Sequence, residues 1–170
     1  MSGFPVPRPI LNRPFDPPAE HWRLEHGEPP VVLPGRRGAG YYYRDPGAGV
    51  QDGGGSRGVW HPLPLVDALR DRVREWQAAG RPGLTRTSAE LVAWWEREGR
   101  QPHLFFAQRE AAETVVFLTE ARADFLQGIA VPADPPGPER LAEGYPGFPR
   151  MCTKMATGTG KSTVAAMLAA

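Results

Sequence analysis

The sequence predicts a mainly α chain with long irregular Pro/Gly-rich segments, passing at its far end into the first elements of an α/β fold. Three observations predict this. The 170 residues include 20 Gly and 20 Pro, 21 of them before residue 59, where no apolar residues recur at helical spacing. Three stretches between residues 65 and 126 do carry apolar residues three and four apart. After a second Pro-rich loop come a short mixed segment, two close glycines and a run of good helix formers, which read as strand, turn and helix.

Residues 1–60 are expected to form a strap that packs on something else through Phe4, Phe15, Trp22, Tyr41, Tyr42 and Tyr43, with short extended pieces at 31–33 and 40–43. Alone, such a strap buries too little apolar surface to offset its ordering entropy. Gly47, Ala48 and Gly49, with Gly53, Gly54 and Gly55, superficially match dinucleotide loops. No strand precedes them and no helix follows closely, so they read as a flexible loop.

Residues 61–100 read as a helical extension. A first helix is expected at 65–79, where Val66, Leu69, Val73 and Trp76 share one face; Pro64 suits its start and Gly80 its end. Arg70, Arg72 and Arg74 mark its solvated face. A second is expected at 88–98, with Thr87 and Glu90 as a capping box, Leu91, Trp94 and Trp95 as apolar bulk, and Gly99 after it. The tryptophans read as core residues in preference to a base-stacking surface.

Residues 101–170 read as the start of a further domain. Its helix is the longest, expected at 104–126. One stripe is Leu104, Ala111, Val115 and Leu118; another is Phe105, Ala112 and Val116, a width that predicts burial on two sides. Residues 130–149 form a loop with Pro132, Pro135, Pro136 and Pro138, residues 150–156 a strand, and residues from 160 onward a helix.

Net charge is +1, so no global field draws the chain to nucleic acid or membrane. One cysteine, Cys152, allows no internal disulfide and fits a reducing compartment. No apolar run is long enough to span a bilayer, and the first residues lack the charged and apolar regions of a secretory signal. The expectation is a cytoplasmic protein without a membrane partner. His21, His26, His61 and His103 have no metal-ligand spacing with Cys152.

The chemistry concentrates at Met155-Ala156-Thr157-Gly158-Thr159-Gly160-Lys161-Ser162-Thr163. Gly158 and Gly160 let the backbone turn its N–H groups around phosphate oxygens, where a helix N-terminus adds positive potential. Lys161 supplies a full charge for the outer phosphates and Ser162 can ligate Mg²⁺. Thr157 and Thr159 contribute mainly backbone. Thr163 reads equally as a phosphate neighbour or an ordinary first-turn residue. The strict pattern G-x-x-x-x-G-K-[ST] is broken, because Met155 stands at its first glycine. Gln108 is a second candidate, since an amide can donate to and accept from an adenine edge; the alternative is a solvated helical Gln. Cys152 reads as a small strand residue, not a nucleophile.

The run from Leu104 through Gln108 to Thr114, and that from Cys152 to Val164, resemble the start of the motor domain in superfamily 2 DEAD/DEAH-box proteins. More narrowly, they resemble the restriction subunit of type III restriction endonucleases and its helicase-like relatives. Pro9 to Phe15, His21-Trp22-Arg23 and residues 65–83 resemble the N-terminal extension of such proteins. The resemblance implies an incomplete start of a RecA-like α/β phosphate-loop motor, in which ATP hydrolysis drives movement on DNA, with a modification methyltransferase subunit as a further partner. It assigns adenine reading to Gln108 and phosphate binding to Thr157, Gly158, Thr159, Gly160, Lys161, Ser162 and Thr163. Lys161 is then the catalytic cation at the β and γ phosphates, and Ser162 the Mg²⁺ ligand. The family's acidic D-E-x-H motif and second-lobe arginines do not follow the loop, so the expectation is an N-terminal fragment that alone is marginally stable and a weak ATP binder or none. The rival expectation is a non-catalytic helical interaction module with a vestigial phosphate loop.

Overall fold

The fold was taken from a computed structural model, which describes residues 4–25, 27–43 and 58–170. His26, Gly47-Ala48-Gly49 and Gly53-Gly54-Gly55 lie outside the described residues. The chain divides into two compact units, Met1–Arg70 and Asp71–Ala170. Regular structure is mostly helical with small antiparallel sheets, as expected for the coarse fold class.

In the first unit, β1 (Glu20–Arg23) pairs antiparallel with β2 (Val31–Pro34), and β3 (Gly40–Tyr43) with β4 (Val59–Pro62). The extended pieces expected at 31–33 and 40–43 are β2 and β3; their partners were not foreseen. Asn12 fixes the start of β1, because its Oδ1 accepts from Ala19 N (2.8 Å) and Glu20 N (3.1 Å) while its Nδ2 donates to Glu20 O (2.9 Å). One side chain so satisfies three backbone groups that a short strand leaves open. Asp67 does the same ahead of β3, accepting from Ala39 N at 2.9 and 3.0 Å and from Arg70 Nη1 at 2.9 Å. Gly40 is required there, since any Cβ would run into the Trp60 ring.

The second unit is built on helices. Helix α1 (Pro64–Ala78) begins in the first unit and ends in the second; α2 is Arg86–Glu96 and α3 Phe106–Glu120. Helix α1 closes with paired bonds, Gly80 N to Gln77 O (3.0 Å) and Arg81 N to Trp76 O (2.8 Å), with Gly80 at φ +82. That is the 5→2 and 6→1 pattern of a glycine-terminated helix. Arg81 continues at φ +57 and turns its guanidinium onto buried Glu113, Nε to Oε2 3.1 Å; Gln77 Nε2 reaches the same oxygen at 2.8 Å. Glu113, 3% exposed, is therefore a paired buried charge joining α3 to the end of α1.

The expected cap of α2 is displaced by two residues. Thr85, not Thr87, is the N-cap, accepting from Ser88 N at 3.2 Å, and Glu90 faces Arg86 instead of a backbone N–H. The tertiary partner decides this. The Glu120 carboxylate accepts from Thr85 N (2.8 Å) and Ser88 Oγ (2.6 Å), an anion at a helix N-terminus that only long-range folding could supply. The tryptophans also separate: Trp95 is buried, whereas Trp94 is exposed beneath the Arg97 guanidinium, 3.4 Å from its ring centroid.

Helix α3 stops at Glu120, short of the expected 126, because Ala121 turns extended where the Pro82–Gly83 turn abuts its last carbonyls. A Cβ on Gly83 would press on Glu120 O and lie 2.9 Å from Arg122 N, and Gly83 sits at φ +104. Gly83→Ala is therefore expected to destabilise the second unit by about 2–3 kcal/mol, measured by urea denaturation; a loss below about 1 kcal/mol would contradict this packing. The expected width of burial on α3 holds, since Thr119 is its one exposed residue.

Helices α4 (Pro138–Ala142) and α5 (Lys161–Ala169) follow, with a two-residue pair, β5 (Ala133–Asp134) and β6 (Phe148–Pro149), between the loops. The strand expected at 150–156 does not form. The β5–β6 ladder is antiparallel and ends at Pro149, and Arg150 N gives one last bond to Pro132 O (2.7 Å). Among the described residues no parallel neighbour pairs with residues 151–156, so these have no ladder to join. Among the described residues no helix is long and apolar enough to cross a membrane.

Candidate phosphate-binding site

Helix α5 is held by Val164 and Met167, one turn apart, which bury against Val92, Trp95, Leu104 and Ala112. Met155 packs against the same cluster. The turn 156–160 is thus fixed at both ends by apolar contacts with α2 and α3. These apolar residues, not the strand expected at 150–156, support the turn. The departure from the strict pattern has its reason here: at position 155 the chain uses a large apolar side chain as an anchor.

Between these anchors the backbone turns sharply. Gly158 has φ +81 and Gly160 φ +79, ψ +46, left-handed values that a Cβ disfavours. Thr159 closes the turn, its Oγ1 donating to Ala156 O at 2.7 Å. Gly160 caps α5: its carbonyl accepts from Thr163 N (3.0 Å) and Val164 N (3.3 Å). The N–H groups of Lys161 and Ser162 belong to the first turn, which has no intrahelical acceptor. Lys161, Ser162, Thr157 and Gly158 are exposed, and Thr163 is half-buried. Lys161 folds back, Nζ donating to Met155 O (3.0 Å) and Ala156 O (3.2 Å). A cation with two carbonyl partners is parked at the mouth of the turn and can exchange them for anionic oxygens.

Gln108 joins this turn. It is 6% exposed, so it is not a solvated helical residue. Its Oε1 accepts from Phe105 N at 2.8 Å, capping α3 from the N3 position. Its amide group lies so close to Gly160 that a Cβ there would overlap Nε2 and sit 3.3 Å from Cδ and from Thr163 Oγ1. Two residues that are 52 positions apart in sequence therefore touch, and Gly160 has to be glycine twice over, for its φ and for Gln108. In this arrangement Phe105 N occupies one of the two lone pairs of the Gln108 oxygen.

The chain matches no protein-family model, no curated protein and no solved structure. Cys152 is exposed and precedes the turn without a strand around it. Among the described residues no three His, Cys, Asp or Glu side chains are grouped to hold a metal; the Ser162 hydroxyl, exposed on the first turn of α5, is available to a cation brought by a ligand. Sequence reasoning missed the anchoring role of Met155. The signal was present, an apolar residue at a glycine position immediately ahead of the turn.

Proposed function

We propose that the turn 156–160 with Lys161, Ser162 and Thr163 binds the phosphates of Mg²⁺-ATP, and that the chain supplies part of an ATP-dependent, DNA-directed motor. The kind proposed is a superfamily 2 helicase or a type III restriction subunit. One observation carries this reading most: Gln108 and Gly160, singled out for separate parts of a nucleotide, are in contact. Left-handed glycines, an open helix N-terminus and a lysine at its first position add the chemistry of anion binding. In the proposed site Lys161 leaves the carbonyls of Met155 and Ala156 for the β and γ phosphates, Ser162 holds Mg²⁺, and Gln108 turns to the adenine edge. The RecA-like character of residues 101–170, the DNA partner and a methyltransferase subunit belong to the same proposal.

A second reading, a non-catalytic helical module with a vestigial loop, is favoured by Met155, whose side chain packs on the core where the strict motif has glycine. Calorimetric titration with Mg²⁺-ATP separates the two. The first reading expects binding at about millimolar affinity or tighter, weakened at least about tenfold by Lys161→Ala, the loss of one charge-assisted contact. Unchanged affinity in that variant, or no binding even by the longer motor of which the chain is proposed to be part, overturns it and leaves the module.

A further inference from the structure

Among the described residues, the amide nitrogen of Gln108 has no acceptor. The bond from Phe105 N (2.8 Å) fixes which end of the amide is oxygen, because a backbone N–H requires an acceptor. Nε2 is therefore the end that faces Gly160, where a Cβ would overlap it; the same point lies 3.3 Å from Thr163 Oγ1. Gln108 is only 6% exposed. A donor left without an acceptor in so buried a residue is unfavourable, so a ligand oxygen that accepts from it gains more than one offered to a solvated amide.

The rest of the turn selects the ligand. Lys161 Nζ stands at one end, on Met155 O (3.0 Å) and Ala156 O (3.2 Å), and Gln108 Nε2 at the other, against Gly160. The N–H groups of Lys161 and Ser162, in the first turn of α5, have no intrahelical acceptors. Residues 155–164 include no Asp or Glu. Donors at both ends of the turn, with no acid among them, fit a chain of anionic groups better than a single anion. We infer that Gln108 Nε2 is a phosphate donor, and that the turn binds magnesium polyphosphates that carry no base. This rests on the reading of residues 156–160 as a phosphate turn and extends it. Nε2 has two hydrogens and Oε1 a second lone pair, so the phosphate contact leaves Gln108 one donor and one acceptor for a base edge.

The test titrates the nitrogen-15-labelled whole chain with inorganic tripolyphosphate and Mg²⁺, and separately with Mg²⁺-ATP. NMR follows the Gln108 side-chain NH₂ and the Ser162 amide. Both signals are expected to shift together, with a Kd of about millimolar or tighter. Gln108→Ala removes the donor and should weaken both ligands by the same factor, about tenfold. Gln108→Glu keeps an oxygen for Phe105 N but sets a carboxylate where Nε2 stands. It should fold as the wild type and weaken both ligands further, and it is the variant read where Gln108→Ala misfolds. A loss for ATP with tripolyphosphate unchanged would make Gln108 a base reader only and overturns the inference. A Ser162 shift without one at Gln108, or no shift of either at about 10 mM tripolyphosphate, overturns it as well. Lys161→Ala tells this failure from that of the phosphate reading. Tripolyphosphate affinity that falls in Lys161→Ala but not in the Gln108 variants leaves the reading standing; affinity unchanged in all of them removes it too.

Discussion

Phe117→Ala is expected to cost about 4 kcal/mol, close to the whole stability of a unit of this size. Phe117 and Trp76 are the two largest side chains with no exposure, and their rings meet edge-on at 5.5 Å. Removing the Phe117 ring takes away its transfer energy, leaves a cavity and frees the Trp76 ring on one side. The site cannot collapse easily. Trp76 is tethered by Nε1 to Pro82 O at 3.0 Å, and Glu113, one turn before Phe117 on α3, is tied to Arg81 and Gln77. Urea denaturation followed by tryptophan fluorescence measures the loss, and Phe117→Leu, which refills most of the volume, should cost less than half as much. A loss near 1 kcal/mol for the alanine variant would show that α1 and α3 do not meet as described.

Periodicity made the helices legible because their cores are local. Val73 and Trp76 on α1, and Ala112 and Val116 on α3, repeat at three and four residues and are buried as that spacing predicts. What periodicity could not reach were features decided by residues far away. Thr85 became the cap of α2 because Glu120, 35 residues on, reaches its N–H. Helix α3 ended early because Gly83 needs the space beside it. Strand β1 exists through Asn12, and β4 through a partner beyond a long intervening segment, so neither has a local pattern to read. The phosphate turn was legible in its glycines and lysine. Its mounting was not, since Met155, Val164 and Met167 dock on α2 and α3 where a strand was expected.

Gly160→Ala is expected to damage stability and nucleotide binding together, because its Cβ would collide with Gln108. A left-handed alanine alone costs about 1–2 kcal/mol. At Gly158, where a Cβ meets nothing within 4 Å, that strain should be the entire effect of an alanine. At Gly160 the Cβ also displaces the Gln108 amide, and with it the bond from Phe105 N that caps α3, adding about 1 kcal/mol. The total of about 2–3 kcal/mol falls on the turn between Met155 and Val164, so Mg²⁺-ATP affinity should drop by up to about thirty- to a hundredfold, past the effect of removing the Lys161 charge. A double-mutant cycle isolates the contact. With Gln108→Ala already in place the collision is gone, so the double variant should be less destabilised than the sum of the single variants by about 1 kcal/mol. Additivity within about 0.5 kcal/mol, read from urea midpoints at constant m, would mean that Gln108 and Gly160 act separately. The proposed nucleotide site would then lose the contact on which it chiefly rests.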